Sequence, residues 1–386
     1  MKNYDIIIIG GGAAGLACGV RLAENSELKI LIIESGDRAG KKLSATGNGQ
    51  GNVSNSNVSV SNYRSGNLSI VNMIVGNGAD TALSVFGNML FSTDSRGRIY
   101  PAGRQASALV DALLRKLKGN GVDILLSTKV TAIKKGFEVT VEDGRKFTCR
   151  NLVLATGGKA QKQFKTDGSA YKLAESLGHR ITPLYPSLVQ LKTDTTYIKT
   201  LKGIRTECKV TAIINGQAVR TEVGDVIFTD YGVSGNAIFY ISPVFSDQKG
   251  KLEIDLLPDF SAEHIMAVLK ERLKDDISYS ELLSGIVHNQ IGRVIIKRSA
   301  TEDIMTIVAT LKKFTLDVTG TLGFDYAQVT HGGVDMRDIS DNLESKLCKN
   351  LYFAGEILDV DGDCGGYNLH WAFASAKVVA EAILAH

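Results

Sequence analysis

Tyr4-Asp5-Ile6-Ile7-Ile8-Ile9-Gly10-Gly11-Gly12-Ala13-Ala14-Gly15 stands at the head of the chain, and Lys29-Ile30-Leu31-Ile32-Ile33-Glu34 follows it. Residues 4–9 are a short apolar run of the kind that a strand buried on both faces requires. The run breaks into glycines, residues 13–24 have helical character, and residues 29–34 read as a second strand. Together they make one βαβ unit of about 30 residues. Each glycine of the Gly10-x-Gly12-x-x-Gly15 spacing has a physical reason. Gly10 permits a tight turn, Gly12 lets the backbone approach a pyrophosphate, and Gly15 lets the helix pack closely on the sheet. A pyrophosphate placed there faces the positive helix N-terminus, where Ala13 and Ala14 offer amides without internal acceptors. Glu34 ends the second strand 19 residues after Gly15, where an acid accepts hydrogen bonds from ribose hydroxyls.

Outward from this unit, composition bounds the rest. A chain of 386 residues exceeds one ordinary core, so two or three domains are expected. With 44% hydrophobic and 22% charged residues it has the make-up of a soluble globular protein. A net charge of +3, with Lys and Arg scattered, speaks against a nucleic-acid partner. Cys18, Cys149, Cys208, Cys348 and Cys364 are odd in number and far apart, with no CxxC pair. That pattern excludes a disulfide framework, a zinc site and a dithiol redox centre. Asn52-Val-Ser, Asn57-Val-Ser and Asn67-Leu-Ser resemble glycosylation acceptors, but no secretory segment precedes them. The apolar runs are too short to span a bilayer. The expectation is a cytoplasmic protein without a membrane partner, and no feature points to an oligomeric state. Asp359, Asp361 and Asp363 are spaced as in a calcium loop. Cys364 and His370 occupy the positions where that loop needs Gly and Glu, so no metal is expected. These acids read instead as a turn, ordered by Asp361.

Farther along, residues 36–78 are rich in Gly, Asn and Ser and show no clear element, which in a compact enzyme points to a functional loop. Residues 106–120 predict an amphipathic helix. Residues 122–127, 129–134, 137–142 and 146–149 predict strands, with Lys135-Gly136 and Asp143-Gly144 as meander turns. Residues 152–156 predict another short strand ending in Gly157-Gly158. From Ser187 the character changes to an antiparallel module with strands at 188–191, 207–214, 217–221 and 225–229, turned by Asn215-Gly216. Helices are expected at 262–274, 279–283, 289–297 and 301–311. Residues 349–355 return to a short apolar strand, and residues 367–384 form a final apolar helix.

A nicotinamide enzyme of this type would continue with further βαβ units. This chain passes instead to a Gly/Asn loop, a β-meander and Leu154-Ala155-Thr156-Gly157-Gly158. That is the order used by two-dinucleotide-fold flavoproteins, in which the meander replaces a crossover helix. Over nearly its whole length the chain resembles the bacterial NAD(P)/FAD-dependent oxidoreductases of the BaiN-like and aminoacetone-oxidase-like group. The resemblance rests on the Gly10–Gly15 fingerprint with Glu34, on Gly40-Lys41-Lys42-Leu43 with Thr46-Gly47-Asn48-Gly49, and on Ala155-Thr156-Gly157-Gly158. It rests further on Val329-Thr330-His331-Gly332-Gly333-Val334. The most specific string is Gly355-Glu356-Ile357-Leu358-Asp359-Val360-Asp361-Gly362 running into Gly365-Gly366-Tyr367-Asn368-Leu369. Two positions depart from the pattern. Gln50-Gly51-Asn52 stands where Arg or Lys, Cys and Asn are common, and His331 stands where a small Ala is expected.

The resemblance implies an α/β fold: a Rossmann-like two-dinucleotide-fold FAD domain with inserted β-rich and helical modules. The FAD domain is expected at 1–187 and 318–386, the β-rich module at 188–258 and the helical module at 259–317. It implies FAD as cofactor, with NAD(P)H as an electron donor, and a small-molecule substrate bound where the insertion faces the flavin ring. Expected cofactor contacts are Gly10, Gly12, Ala13, Ala14, Gly15, Glu34, Ser35 and Val130. Lys41 and Lys42 are expected to neutralise phosphate, and Gly47, Gly49 and Asn52 to bring the loop against the flavin. Thr156, Gly157, Gly355, Glu356, Asp361, Gly366, Asn368 and Leu369 complete the set. Glu356 would bond the ribityl chain. The helix from residue 368 would turn its amides to the pyrimidine edge, where reduced flavin gathers negative charge. Candidates for chemistry are His331, Cys364 and Tyr367. The implied activity is FAD-dependent oxidation or reduction of a small organic substrate, with a reductase using NAD(P)H in front. An oxygen-using amine oxidase and a flavin-binding regulatory or RNA-associated protein without turnover are the alternatives.

Overall fold

The computed structural model describes residues 2–275 and 277–385. Contacts divide the chain into two units, Met1–Tyr185 with Val329–His386, and Pro186–Gln328.

The first unit is built on a sheet in the order Asp123–Leu125, Ile30–Ile33, Lys2–Ile9, Lys146–Leu154, Glu138–Val141 and Val130–Lys134. Leu351–Phe353 also pairs with Lys146–Leu154. Around Lys2–Ile9 the neighbours are parallel, and Ile6, Ile7, Ile8, Leu31 and Ile32 are wholly buried. An apolar run without alternation is what a strand covered on both faces needs. The helix Ala13–Glu24 buries Leu16, Ala17, Cys18, Val20 and Leu22 and packs against helices Ala106–Gly119 and Tyr367–Leu384. The last helix buries Trp371, Phe373, Ala376 and Val379 around much of its circumference, which explains its weak amphipathicity.

Residues 146–149 and 152–156, expected as two strands, run together in the one strand Lys146–Leu154, which ends before Ala155. Lys146–Thr148 pair antiparallel with the meander, whereas Leu152–Leu154 pair parallel with Leu351–Phe353. The hydrophobic pattern changes midway because the strand leaves a half-exposed sheet for a fully covered one. The stretch 36–78 also differs from its expectation. It holds helices Lys41–Ala45 and Leu68–Val75 and strands Ser54–Asn55 and Tyr63–Ser65. The two strands pair with Arg98–Pro101 and Val360–Gly362, partners distant in sequence, so no local pattern announces them.

The second unit is a closed barrel in the order Leu191–Thr193, Gly232–Ser234, Gln217–Phe228, Arg205–Ile214, Gly250–Asp255 and Phe314–Thr321. Residues 217–221 and 225–229, expected as separate strands, run together in the single strand Gln217–Phe228, which ends before Thr229. Helices Ala262–Lys274, Asn289–Ser299 and Ile304–Lys312 precede the last barrel strand, while residues 279–281 form only a 3-10 turn. The expected division into a β-rich and a helical module is not how this unit packs. One apolar core contains Val210, Leu252 and Phe314 of the barrel together with Leu269, Ile295 and Ile307 of the helices. The return to the first unit, expected at 318, comes at Val329 because Phe314–Thr321 closes the barrel.

A Cβ at Gly15 would lie 1.9 Å from the Gly10 carbonyl oxygen, whereas one at Gly119 would meet nothing within 4 Å. Gly15→Ala is therefore expected to destabilise the protein by about 1–3 kcal/mol through overpacking. Gly119→Ala should be neutral or slightly stabilising. The two chemical-denaturation midpoints check this, and equal midpoints would contradict the close packing of helix on strand.

Candidate active site

Strand register builds the site. Ile9 pairs with Ile33 and with Leu154, and Leu154 pairs with Phe353. Gly10, Glu34, Ala155 and Ala354 therefore come one residue beyond the same level, at the carboxyl edge of a parallel sheet. That edge is where open α/β folds bind ligands.

At this edge Gly10 has φ +107°, and a Cβ there would meet the Ala155 carbonyl oxygen at 2.3 Å. Leu16 N donates to Gly12 O (3.0 Å) as the helix begins, so the amides of Ala13, Ala14 and Gly15 have no helical acceptor. Gly11 N donates to Glu34 Oε2 (2.7 Å) and Gly36 N to Glu34 Oε1 (2.6 Å), which holds the carboxylate in place. Ser35, exposed, donates to the same carboxylate (3.3 Å). Thr128 N donates to Glu34 O and Ser127 N to Gly36 O, which brings the start of strand Val130–Lys134 alongside. Val130 there lines a cavity of about 320 Å³ with Lys129, Lys172 and Leu173.

Lys41 and Lys42 both have carboxylate partners in the structure. Lys41 pairs with Asp37, and Lys42 Nζ lies 2.8 Å from Glu356 Oε2. Glu356 Oε1 accepts from Thr330 N (2.9 Å), and Thr330 Oγ1 accepts from Lys159 N (2.7 Å) and Ala160 N (3.0 Å). Glu356 thus joins three segments, a structural use that the sequence did not announce. Gly47 and Gly49 have φ +60° and +81°, and a Cβ at Gly49 would meet nothing within 4 Å. The Asn52 amide, oriented by its partners, donates to Ser54 O (3.0 Å) and accepts from Gly366 N (3.1 Å), which ties the glycine loop to the start of the last helix. Gly366 has φ +102°, and a Cβ there would meet the Ser54 carbonyl oxygen at 2.2 Å.

On the C-terminal string, Gly355 N donates to Ser375 Oγ (2.9 Å), and Trp371 Nε1 donates to Gly355 O (3.1 Å). Asn368, expected against the flavin, spends its amide on Gly362 N and Gly362 O, both at 2.8 Å. Leu369 is partly buried beside it and packs against the core. Tyr367 lies edge-on to Tyr63, whose hydroxyl donates to Tyr367 O (2.9 Å). Cys364 has no disulfide partner, and burial pushes its thiol up to about 11, so it is neither a ready thiolate nor half of a dithiol.

Asp361 is the centre of a charged cluster rather than a turn residue. It is wholly buried on strand Val360–Gly362. Its Oδ2 accepts from Arg64 Nη2 (2.8 Å) and Nε (3.0 Å), and its Oδ1 meets His331 Nδ1 at 2.7 Å. Arg64 Nη1 also donates to Asp363 (2.9 Å). Burial works to raise the Asp361 pKa, but the His331 hydrogen bond and the Arg64 charge outweigh it and hold the carboxyl below its ordinary value. His331 is shifted upward, by that hydrogen bond first, against the lowering effect of its own burial. Arg64 escaped the sequence reading because it sits in the Gly/Asn/Ser-rich stretch. Its signal, a lone Arg between polar residues, has no local meaning.

The residues present fit a flavin dinucleotide. The open side of Gly12, where a Cβ meets nothing within 4 Å, lies over the helix N-terminus, so its lack of a side chain is not demanded by packing within the chain. Thr156 Oγ1, at the adjoining strand end beside Gly157, is buried without a partner, as a group awaiting a ligand would be.

Residues 4–382 match the model of the HI0933-like protein Rossmann domain. The chain is 34% identical to a 3-dehydro-bile acid delta(4,6)-reductase of Clostridium scindens, over 97% of this chain and 98% of that one. It is 30% identical to a ribosomal RNA dihydrouridine synthase of Escherichia coli, over 100% and 99%. In fold it is similar to 3-ketosteroid-delta4-(5alpha)-dehydrogenase of Rhodococcus jostii, with TM-score 0.55 at 15% identity, over 99% and 97% of the two chains.

Gly12 has φ −82°, which any residue adopts. Gly12→Val should therefore fold yet lose FAD, because valine occupies the space over the helix amides. Glu34→Ala should weaken FAD roughly ten- to a hundred-fold, the loss of charge-assisted hydrogen bonds of about 1.5–3 kcal/mol. Flavin-to-protein absorbance ratios after purification check both, and full occupancy in folded Gly12→Val would refute the cradle.

Proposed function

This chain belongs to the HI0933-like Rossmann-domain family and is a flavin-dependent oxidoreductase, and on that footing we propose that it reduces a carbon–carbon double bond conjugated to a carbonyl, using NAD(P)H. One observation carries the reading. Two relatives aligned over nearly the whole chain are named for the same kind of step, at 34% and 30% identity. A 3-keto steroid acid with 4,6 double bonds and a uracil ring both present a C=C joined to C=O, and both named activities saturate it.

Bound FAD would supply hydride transfer, the chemistry that side chains lack. The chain's own residues bind and orient. The amides of Ala13, Ala14 and Gly15 would receive the pyrophosphate at the positive helix end. Glu34, already held by Gly11 N and Gly36 N, would accept from the ribose. Thr156 would offer its unpartnered hydroxyl at the strand end. The helix Tyr367–Leu384, started by Gly366, sets a positive end beside the same edge.

A small apolar enone is favoured over RNA as substrate. RNA binding draws its affinity from clustered cations, and the net charge of +3 is spread along the chain. NAD(P)H is assigned to the same open face as the substrate, since no second G-x-G-x-x-G follows a strand, and alternating occupancy of one face gives ping-pong kinetics.

The test is anaerobic stopped flow. NADH or NADPH should bleach the flavin absorbance, and 4-androstene-3,17-dione or another enone should restore it. Bleaching by an amine with recovery only in oxygen would turn the reading into an amine oxidase. Recovery only with uridine-containing RNA would move the substrate class.

A further inference from the structure

We propose that His331 is the proton donor of this active site, aimed by Asp361 and Arg64; the inference rests on the reductase reading above.

Its position is set by its neighbours. Thr330, the preceding residue, is tied through Oγ1 to Lys159 N and Ala160 N and through its own N to Glu356. His331 follows on the same strand, Val329–His331, with its side chain against Asp361 of strand Val360–Gly362. The ring is held at Nδ1 by Asp361 (2.7 Å) and lies stacked on Tyr185, centroids 6.3 Å apart at 29°. No described residue takes a hydrogen bond from Nε2, and 31% of the side chain is exposed while Asp361 is fully buried. The arrangement hides one nitrogen and presents the other.

Charge compensation alone does not explain the histidine. Arg64 already gives Asp361 two hydrogen bonds on Oδ2, and it spends a third on Asp363. The groups facing the ring are Asp361 on its strand, Asp359 just before it, Arg64 on strand Tyr63–Ser65, and Tyr185. Their balance shifts the imidazole upward, so it holds its proton closer to neutrality than a free histidine does. Neighbouring groups do not serve. The Cys364 thiol is pushed up to about 11, burial raises the Tyr63 and Tyr171 hydroxyls, and His370 is lowered to about 4 and bonded to Ser54.

The step balances. Bound reduced FAD would supply the two electrons as hydride at the β-carbon of the enone, the π pair moving toward the carbonyl. The His331 Nε2–H bond breaks as a C–H bond forms at the α-carbon. The substrate gains two hydrogens, the flavin is oxidised, and the neutral imidazole regains a proton from water.

The experiment compares wild-type holoenzyme with His331→Ala, His331→Gln and Asp361→Asn, using 4-androstene-3,17-dione as the enone. Reoxidation of reduced flavin by the enone should fall about 100-fold in both His331 variants, with FAD content as in wild type and the melting temperature lowered by the loss of one partner of buried Asp361. The wild-type rate should decline as pH rises through the His331 pKa, and that limb should vanish in His331→Gln. Independently of turnover, NMR titration of labelled histidines should place the His331 pKa above its ordinary value and lower it in Asp361→Asn. If Asp361→Asn fails to fold, Arg64→Gln serves for the same titration, since removing the opposing cation should raise the His331 pKa further. A wild-type enzyme active on the enone but indifferent to His331→Ala overturns this proposal alone. A wild-type enzyme inert to every enone overturns the reductase reading with it.

Discussion

The shared level at which the parallel strands end is the constraint on which the first unit depends. Leu125, Ile33, Ile9, Leu154 and Phe353 are in register, so the chain must leave the sheet five times along one line. Backbone groups there have no further strand to pair with and must find turns, helix starts or ligands. Gly10 resolves the first exit, because the helix it leads into rests on its carbonyl and the neighbouring strand end crowds its α-carbon. Gly355 resolves the last, with φ +79° and an Ala14 Cβ that would lie only 2.8 Å from any Cβ placed there. The same line of exits supplies the amides, hydroxyl and carboxylate proposed to receive the cofactor, so architecture and the proposed binding have one cause.

A second constraint is the buried charge at Asp361. An isolated carboxylate of full burial would be costly, and removing a partner from such a pair typically costs about 3–5 kcal/mol. Arg64 and His331 meet it from segments 297 and 30 residues away, and strand Tyr63–Ser65 pairs with Val360–Gly362 in the same place. Those bonds fasten an otherwise irregular stretch to the C-terminal string. They also leave an imidazole with one fixed and one open nitrogen at the edge of the site.

Local pattern made much of the first unit legible. The apolar runs at 4–9 and 29–34 mark doubly covered strands, and the glycine spacing with Glu34 marks the turn between them. Where pattern failed, the reason was long-range pairing. The strand Lys146–Leu154 changes environment midway and so looked like two strands. Ser54–Asn55 and Tyr63–Ser65 are strands only because of Arg98–Pro101 and Val360–Gly362. In the second unit, Phe314–Thr321 belongs to a barrel whose other strands precede the helices, and only closure of the sheet assigns it.

The sequence by itself determined the family, the glycine cradle and the acid at the end of the second strand. Each depends on residue type at short spacing, and backbone sterics translate spacing directly into geometry. Tertiary structure alone decided the partners of the charged and polar side chains. Lys41 and Lys42, expected at phosphate, pair with Asp37 and Glu356. Asn368, expected at the ring, holds the Gly362 turn. His331, undecided between structure and site, is bonded to Asp361 and left open at Nε2. Long flexible side chains choose among many neighbours by desolvation and charge, and those neighbours exist only once distant segments have met.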